Sequence, residues 1–161
     1  MEKERLDDKL ILCEREEATL LFRTFNYENA WELGNILFAT AKERNAKVAL
    51  NIIINGYEVF RYCFEGTGPY NSLWLERKNR MVHLKKISTL RAGYQLEWNH
   101  LNLENDWLLN PKEYSIKGGG FPILIEGIGC IGSVSCSGLP HEQDHKLVVD
   151  SIEKYLKVYN K

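Results

Sequence analysis

The sequence lacks a long apolar run and a strong excess of either charge. Its 161 residues carry 21 Lys and Arg against 22 Asp and Glu, a formal net charge of −1, and its pI is near 6.4. Binding of nucleic acid or an anionic membrane needs a clustered positive excess, so the composition predicts neither partner. The first ten residues are mostly charged and no later run reaches membrane-spanning length. We therefore expect a cytoplasmic protein.

The four cysteines lack the paired spacing of a zinc site or a redox motif. Cys130 and Cys136 lie on one predicted strand, where six residues of separation correspond to roughly 20 Å. That distance excludes a disulfide between them. We expect Cys13, Cys63 and this pair to be reduced thiols.

Internal repeats and low-complexity segments are absent as well. Of the 161 residues, 44% are hydrophobic and 27% are charged. A chain of this length buries roughly 70% of its unfolded surface in one core. We therefore expect a single domain over residues 1–161.

Two pairs of strand-like runs predict β-hairpins. Lys47–Ile54 and Tyr57–Glu65 are joined by Asn55-Gly56, which suits a type I′ turn. The second pair lies in the glycine-rich stretch 118–145, where Phe121–Glu126 and Ile128–Ser137 flank Gly127. A fifth strand is predicted over Ala18–Phe25 by a loose alternation of apolar residues.

Helical periodicity predicts the remaining elements. A polar, amphipathic helix spans residues 1–17, and a core-facing helix capped by Asn26 spans Tyr27–Arg44. A further helical piece, broken or bent near Gly93, covers Leu90–Asn99, and a last helix starts at Pro140. A further helix from Asn71 or Ser72 to about Ser88 is predicted to turn Leu73, Trp74, Met81 and Leu84 inward and Arg77, Lys78, Arg80, Lys85 and Lys86 mostly outward. The predicted fold is α+β: an antiparallel sheet of about five strands with helices packed on its faces, in a profilin-like arrangement.

The run His141-Glu142-Gln143-Asp144-His145 matches the H-E-x-x-H pattern of zinc hydrolases. On a helix the two histidines share a face and can hold zinc while Glu142 polarises water. The pattern is short, it needs a third ligand, and an acidic, solvated first helical turn is the simpler explanation. A zinc-dependent hydrolase is therefore an alternative function.

Two other groups could bind an anion. Arg77 and Lys78 could hold a carboxylate or phosphate, and the backbone amides of Gly118, Gly119 and Gly120 could line one. The glycine run precedes a strand, whereas a dinucleotide-binding loop precedes a helix. No G-x-S-x-G elbow accompanies Ser135 or Ser137.

Several motifs together resemble the GlcG/HbpS-type domain family, which is usually labelled haem-degrading. They are GGGFPI from Gly118, GIGCIGSVSCSG from Gly127 and EQD from Glu142, with WLERK from Trp74, ST at Ser88, NPKEY from Asn110, and Phe25–Gly34. The resemblance covers about residues 22–156 and is to the short, single-domain branch of the family. Position 117 is lysine where many relatives of this branch have histidine.

The resemblance implies a homo-oligomeric, ligand-binding protein whose ligand is haem or a related tetrapyrrole. Haem breakdown is one enzymatic alternative, zinc hydrolysis through His141 and His145 is another, and a scaffold or adaptor without a small ligand is a third possibility. The candidate ligand-binding residues are Arg77, Lys78, Gly118, Gly119, Gly120, Phe121, Gly132, Glu142 and Asp144.

Overall fold

In the computed structural model, which describes residues 2–159 and side chains from Arg5 onward, the chain forms five helices and four strands. The helices are α1 (Glu2–Thr19), α2 (Tyr27–Glu43), α3 (Pro69–Lys85), α4 (Thr89–Trp98) and α5 (His141–Tyr159). The strands are β1 (Ala49–Ile54), β2 (Tyr57–Cys63), β3 (Gly120–Ile125) and β4 (Gly129–Ser137). None of the helices within the described residues is long and apolar enough to cross a membrane.

Both predicted hairpins are present, and the α+β class is confirmed. Asn55 and Gly56 have φ values of 48° and 80°, the two left-handed residues that a type I′ turn requires. The four strands form one antiparallel sheet in the order β2-β1-β4-β3. The two hairpins therefore meet along β1 and β4, and the long connection through α3 and α4 links them.

The predicted strand over Ala18–Phe25 is wrong. Helix α1 continues to Thr19, and only Phe22 pairs with the sheet, through one isolated parallel bridge to Ile125. The backbone N–H of Phe22 donates to Leu124 O at 2.8 Å. The segment leaves the sheet after that bridge because Asn26 caps the next helix: its side chain accepts from the N–H of Asn29. The sheet thus has four strands where about five were predicted.

The sheet face covered by α2 and α5 is apolar. Leu50 and Ile52 of β1 lie on this face beside Val134 and Cys136 of β4, and each is completely buried. Leu33 and Leu37 of α2 and Leu147, Val148 and Ile152 of α5 complete the same cluster. The main hydrophobic core therefore lies between the sheet and these two helices.

The opposite face is polar and lies under α3. Alternation along the strands places Asn51, Ser133 and Ser135 on this face, and all three are buried. Helix α3 turns Lys78 and Asn79 toward them.

The predicted orientation of α3 is confirmed for Met81, which is completely buried, and for the exposed Arg80, Lys85 and Lys86. It is wrong for Leu73, Leu84 and Lys78. Lys78 is only 2% exposed, whereas Leu73 and Leu84 are 54% and 50% exposed. A polar sheet face needs hydrogen-bonding partners from the helix that covers it, and this requirement outweighs the burial of two leucines. The helix also begins at Pro69, two residues before the first predicted cap.

Helices α1 and α4 pack against each other outside this layer. Leu10 and Cys13 of α1 contact Leu90 and Tyr94 of α4 in a small separate cluster. The polar face of α1 is partly buried: Glu17 is 6% exposed. This packing brings charged residues of α1 close to the start of α5.

Candidate functional site

The glycine run lies where β4, α3 and the start of α5 converge. At Gly119, whose φ is +127°, an added Cβ would lie 2.4 Å from Cys136 O and 2.7 Å from Lys78 Nζ. A Cβ on Gly118 would lie 2.5 Å from His141 O. Only glycine fits such close approaches. The run therefore lets the two helices come together around the end of the sheet.

A buried ion pair joins the helices at this point. Lys78 Nζ donates to Cys136 O at 2.7 Å and to Asp144 Oδ2 at 3.2 Å, and both charged side chains are 3% exposed. Asp144 Oδ1 accepts from the N–H of Leu139 at 3.0 Å. Burial raises the pKa of the Asp144 carboxyl, against the opposing effect of the Lys78 ammonium. Lys78 and Asp144, two of the predicted site residues, thus lie in direct contact.

His141 is held against the glycine run by its ring. The backbone N–H of Gly118 donates to His141 Nδ1 at 3.1 Å. Burial and the nearby Lys117 ammonium lower the pKa of the imidazole below its ordinary value of 6.5, so the ring is neutral near pH 7. Among the described residues, His141 Nε2 has no hydrogen-bond partner.

Glu142 is engaged by side chains from two other helices. It accepts a hydrogen bond from the Tyr94 hydroxyl at 2.6 Å and another from Lys9 Nζ at 2.9 Å. These two bonds lower the pKa of the Glu142 carboxyl. Burial and the bond to Glu142 raise the pKa of Tyr94, which keeps the phenol protonated. The glutamate thus serves as an acceptor that links α1, α4 and α5.

His145, the second histidine of the H-E-x-x-H run, faces a different partner. Its Nε2 lies 2.6 Å from Glu16 Oε2, and its Nδ1 is buried without a hydrogen-bond partner. The residues that the structure describes contain no group of three or more His, Cys, Asp or Glu that could hold a metal ion. His141 and His145 therefore do not converge on one point, and the described geometry supplies no third zinc ligand.

A cleft of about 590 Å³ opens beside the start of α5, within the size range of small-molecule sites. Its lining combines apolar and aromatic side chains with the basic Lys9, Arg77 and Lys117 and the acidic Glu97, Glu104 and Glu142. Arg77 stacks on the Trp74 ring at 4.3 Å and donates to Pro111 O at 2.6 Å, which fixes one wall. The apolar lining includes Leu90, Tyr94, Leu96, Leu101, Leu103 and Tyr114.

A smaller cleft of about 300 Å³ adjoins the first one. Trp74, Lys117 and His141 line both clefts, and the smaller one reaches down to Lys78 and Asp144. Lys117 is exposed. The shared end of the two clefts therefore lies beside the glycine run and the ion pair.

Three predicted site residues lie elsewhere. Phe121 is completely buried in the core on the apolar face of the sheet. A Cβ on Gly132 would lie 1.9 Å from Ile53 O, so close strand packing explains this glycine. Gly120 packs against Thr89 and α3. The structure groups the other predicted residues, Arg77, Lys78, Gly118, Gly119, Glu142 and Asp144, around His141.

Sequence reasoning did not select Trp74, Tyr94 or Lys117 for the site. Trp74 and Arg77 are three residues apart on a helix, a spacing that makes their side chains neighbours. The sequence therefore contained enough information to predict this contact. Lys117 directly precedes the glycine run. Tyr94 had no local signal because its partner Glu142 is 48 residues away.

Comparison with known proteins finds relatives over nearly the whole chain. A UPF0303 protein of Azotobacter vinelandii is 39% identical over 152 residues, which are 94% of this chain and 92% of the relative. The solved structure of the Ybr137w protein has 26% identity and a TM-score of 0.88, covering 98% of this chain and 95% of that one. The solved PduOC:heme complex shares the fold, with 18% identity, a TM-score of 0.69, and coverage of 81% and 94%.

The glycine run, the WLERK helix and the acidic start of α5 are also the motifs on which the sequence resemblance rests. The family model described as haem degrading protein HbpS-like matches residues 25–153, close to the residues 22–156 over which the resemblance was predicted. The predicted kinship is confirmed: the chain belongs to the HbpS-like haem degrading protein family.

Proposed function

We propose that this protein binds a flat, partly apolar ligand that bears carboxylates, and that the ligand is haem or a related tetrapyrrole. The observation that carries the proposal is the cleft of about 590 Å³, whose lining combines apolar and aromatic side chains with the basic Arg77 and Lys117. Such a combination of apolar surface and a few placed polar groups is typical of small-molecule sites. Membership of the family and the fold shared with the PduOC:heme complex support the choice of tetrapyrrole.

The cleft residues suit the ring and the carboxylates of haem better than its iron. Aromatic and aliphatic walls can cover the macrocycle, and Lys117 and Arg77 can pair with carboxylates. For iron, His141 Nδ1 already accepts from Gly118, and the Tyr94 hydroxyl donates to Glu142. Binding through the edge carboxylates is thus the mode that these contacts favour.

The test is a titration of the purified protein with haem, followed by Soret absorbance. A saturable one-to-one change is expected. Leu101→Trp adds bulk at the cleft, where Leu101 is 41% exposed, and should weaken binding about tenfold or more. Leu108→Trp is the matched control, because Leu108 is 82% exposed and lines none of the clefts described above.

Three outcomes would contradict the haem proposal. Without a Soret change the ligand is not haem, and a scaffold role without a small ligand becomes the better explanation. Equal binding by the Leu101→Trp variant and the control would place the ligand elsewhere. Stoichiometric zinc in the same sample, measured by mass spectrometry and lost in His145→Ala, would instead support the hydrolase alternative.

The protein is further proposed to be a cytoplasmic homo-oligomer in which residues 1–161 form one domain. Exposed aromatic side chains along α2 and β2 support assembly: Tyr27, Trp31 and Tyr57 are 58%, 63% and 63% exposed. Aromatic residues are enriched at protein interfaces. Sedimentation velocity should give a mass above 18.7 kDa that falls in Trp31→Glu, whereas a monomeric wild-type protein would contradict the proposal.

A further inference from the structure

The tautomer of His141 follows from its contact with Gly118. A backbone N–H can only donate a hydrogen bond, so His141 Nδ1, 3.1 Å away, must be the acceptor. In a neutral imidazole whose Nδ1 holds the lone pair, Nε2 carries the proton. His141 therefore presents an N–H donor on the side of the ring away from the glycine run.

The alternative ring orientation is less favourable. Turning the ring by 180° would replace Nδ1 with a carbon and leave the N–H of Gly118 without its acceptor. Gly118 is buried, and a buried amide without a partner costs about 1–3 kcal/mol. The observed orientation is thus the one that the surroundings enforce, and it leaves His141 without a free lone pair for a metal.

The charges around His141 favour an anion at this place. Two carboxylates that line the clefts with His141 are already paired, Asp144 with Lys78 and Glu142 with Lys9. Glu97 and Glu104 line the larger cleft and not the smaller one. Lys117 is exposed and lines both clefts together with His141. Its backbone N–H donates to Ser115 Oγ at 3.0 Å, whereas its ammonium has no hydrogen-bond or ion-pair partner among the described residues. An ammonium and an N–H donor at the shared end of two clefts match the two oxygens of a carboxylate.

We infer that His141 and Lys117 form a carboxylate-binding pair, and that His141 holds the ligand by donating from Nε2 and does not coordinate its iron. This inference rests on the proposed tetrapyrrole binding and specifies how the ligand is held. It also assigns to Lys117 a positive charge that contacts the ligand directly.

The test compares haem with iron-free protoporphyrin IX, which has the same carboxylates and no metal. His141→Asn is the informative variant, because its Oδ1 has the reach of Nδ1 and can still accept from Gly118, whereas the Nε2 donor is lost. Lys117→Gln removes the ammonium. Lys157→Gln is the matched control, since Lys157 is exposed near the end of α5 and lines none of the clefts.

Both His141→Asn and Lys117→Gln should weaken binding of the two probes by the same factor, about tenfold or more. Haem bound to His141→Asn should keep the wild-type Soret position, and Lys157→Gln should bind both probes normally. Affinity is measured by porphyrin fluorescence quenching and Soret titration. Urea unfolding identifies a variant that is destabilised, in which case Lys117→Gln decides alone.

Two results would overturn the inference and leave the proposed function intact. One is a loss of affinity in His141→Asn for haem only, with a shifted Soret band, which would make His141 an iron ligand. The other is normal binding of both probes by Lys117→Gln. Failure of the wild-type protein to bind either probe would instead refute the proposed function and the inference with it.

Discussion

The two faces of the sheet are stabilised by different forces. On the α2 and α5 side, residues such as Leu50 and Val134 pack without a polar partner. On the α3 side, Asn79 Oδ1 accepts from Ser133 Oγ at 2.7 Å and from Ser135 Oγ at 2.6 Å. Apolar packing is non-directional and tolerates small shifts, whereas hydrogen bonds lose strength when their geometry changes.

The difference explains where the cleft lies. The polar face continues at its end into the ion pair of Lys78 with Asp144 and into the contact of Gly118 with His141. Helix α3, which carries Arg77 and Trp74, is thus held in one orientation by directional bonds. A binding site needs side chains that are held in fixed positions. The apolar face contributes to stability, but it does not fix polar side chains in this way.

The largest effect is expected from breaking the ion pair. Asp144→Asn leaves the Lys78 ammonium buried without a counter-charge, which should lower the free energy of unfolding by about 3–5 kcal/mol. The double variant Lys78→Met with Asp144→Leu should recover most of the loss, because neither charge then remains buried. Urea unfolding measures both, and a single variant as stable as the wild type would contradict a structural role for the pair.

A matched pair of substitutions compares the two faces directly. Leu50→Ala creates a cavity on the apolar face and should cost about 2–5 kcal/mol. Ser135→Ala, on the polar face, should cost about 1 kcal/mol, since Asn79 Oδ1 keeps the bond from Ser133. Leu50→Ala should leave porphyrin affinity unchanged in the folded protein. Equal costs for both substitutions would mean that the faces do not differ as described.

The smallest expected effect is on pH dependence. Burial and the nearby Lys86 lower the pKa of His83, which bonds to Ser133 at 2.8 Å, below its ordinary value of 6.5. Between the lowered pKa and 6.5 the unfolded chain binds more protons than the folded protein, so stability falls as pH decreases through this window. His83→Gln should therefore lose less stability than the wild type between about pH 7.5 and about pH 5.5. Urea unfolding of both proteins at the two pH values tests this, and equal losses would contradict it.

Local signals in the sequence predicted the elements whose partners lie close by in the chain. Three predicted features are confirmed: the Asn55-Gly56 turn, the Asn26 cap and the second hairpin, which turns at Gly127. Each of them depends on a few neighbouring residues. The strand predicted over Ala18–Phe25 is wrong, because a loose alternation of apolar residues does not show whether the segment has a neighbouring strand to pair with. Lys78 was misplaced because a charged residue on a helix is usually exposed.

The sequence by itself determined the helices, the two hairpins and the family to which the chain belongs, since these depend on periodicity, turn residues and short motifs. Only the tertiary structure decided that Lys78 is buried, that His141 faces Gly118, and that the two histidines of H-E-x-x-H have separate partners. The physical reason is distance along the chain. Lys78 and Asp144 are 66 residues apart, and a buried charge is stable only where folding brings its counter-charge to it.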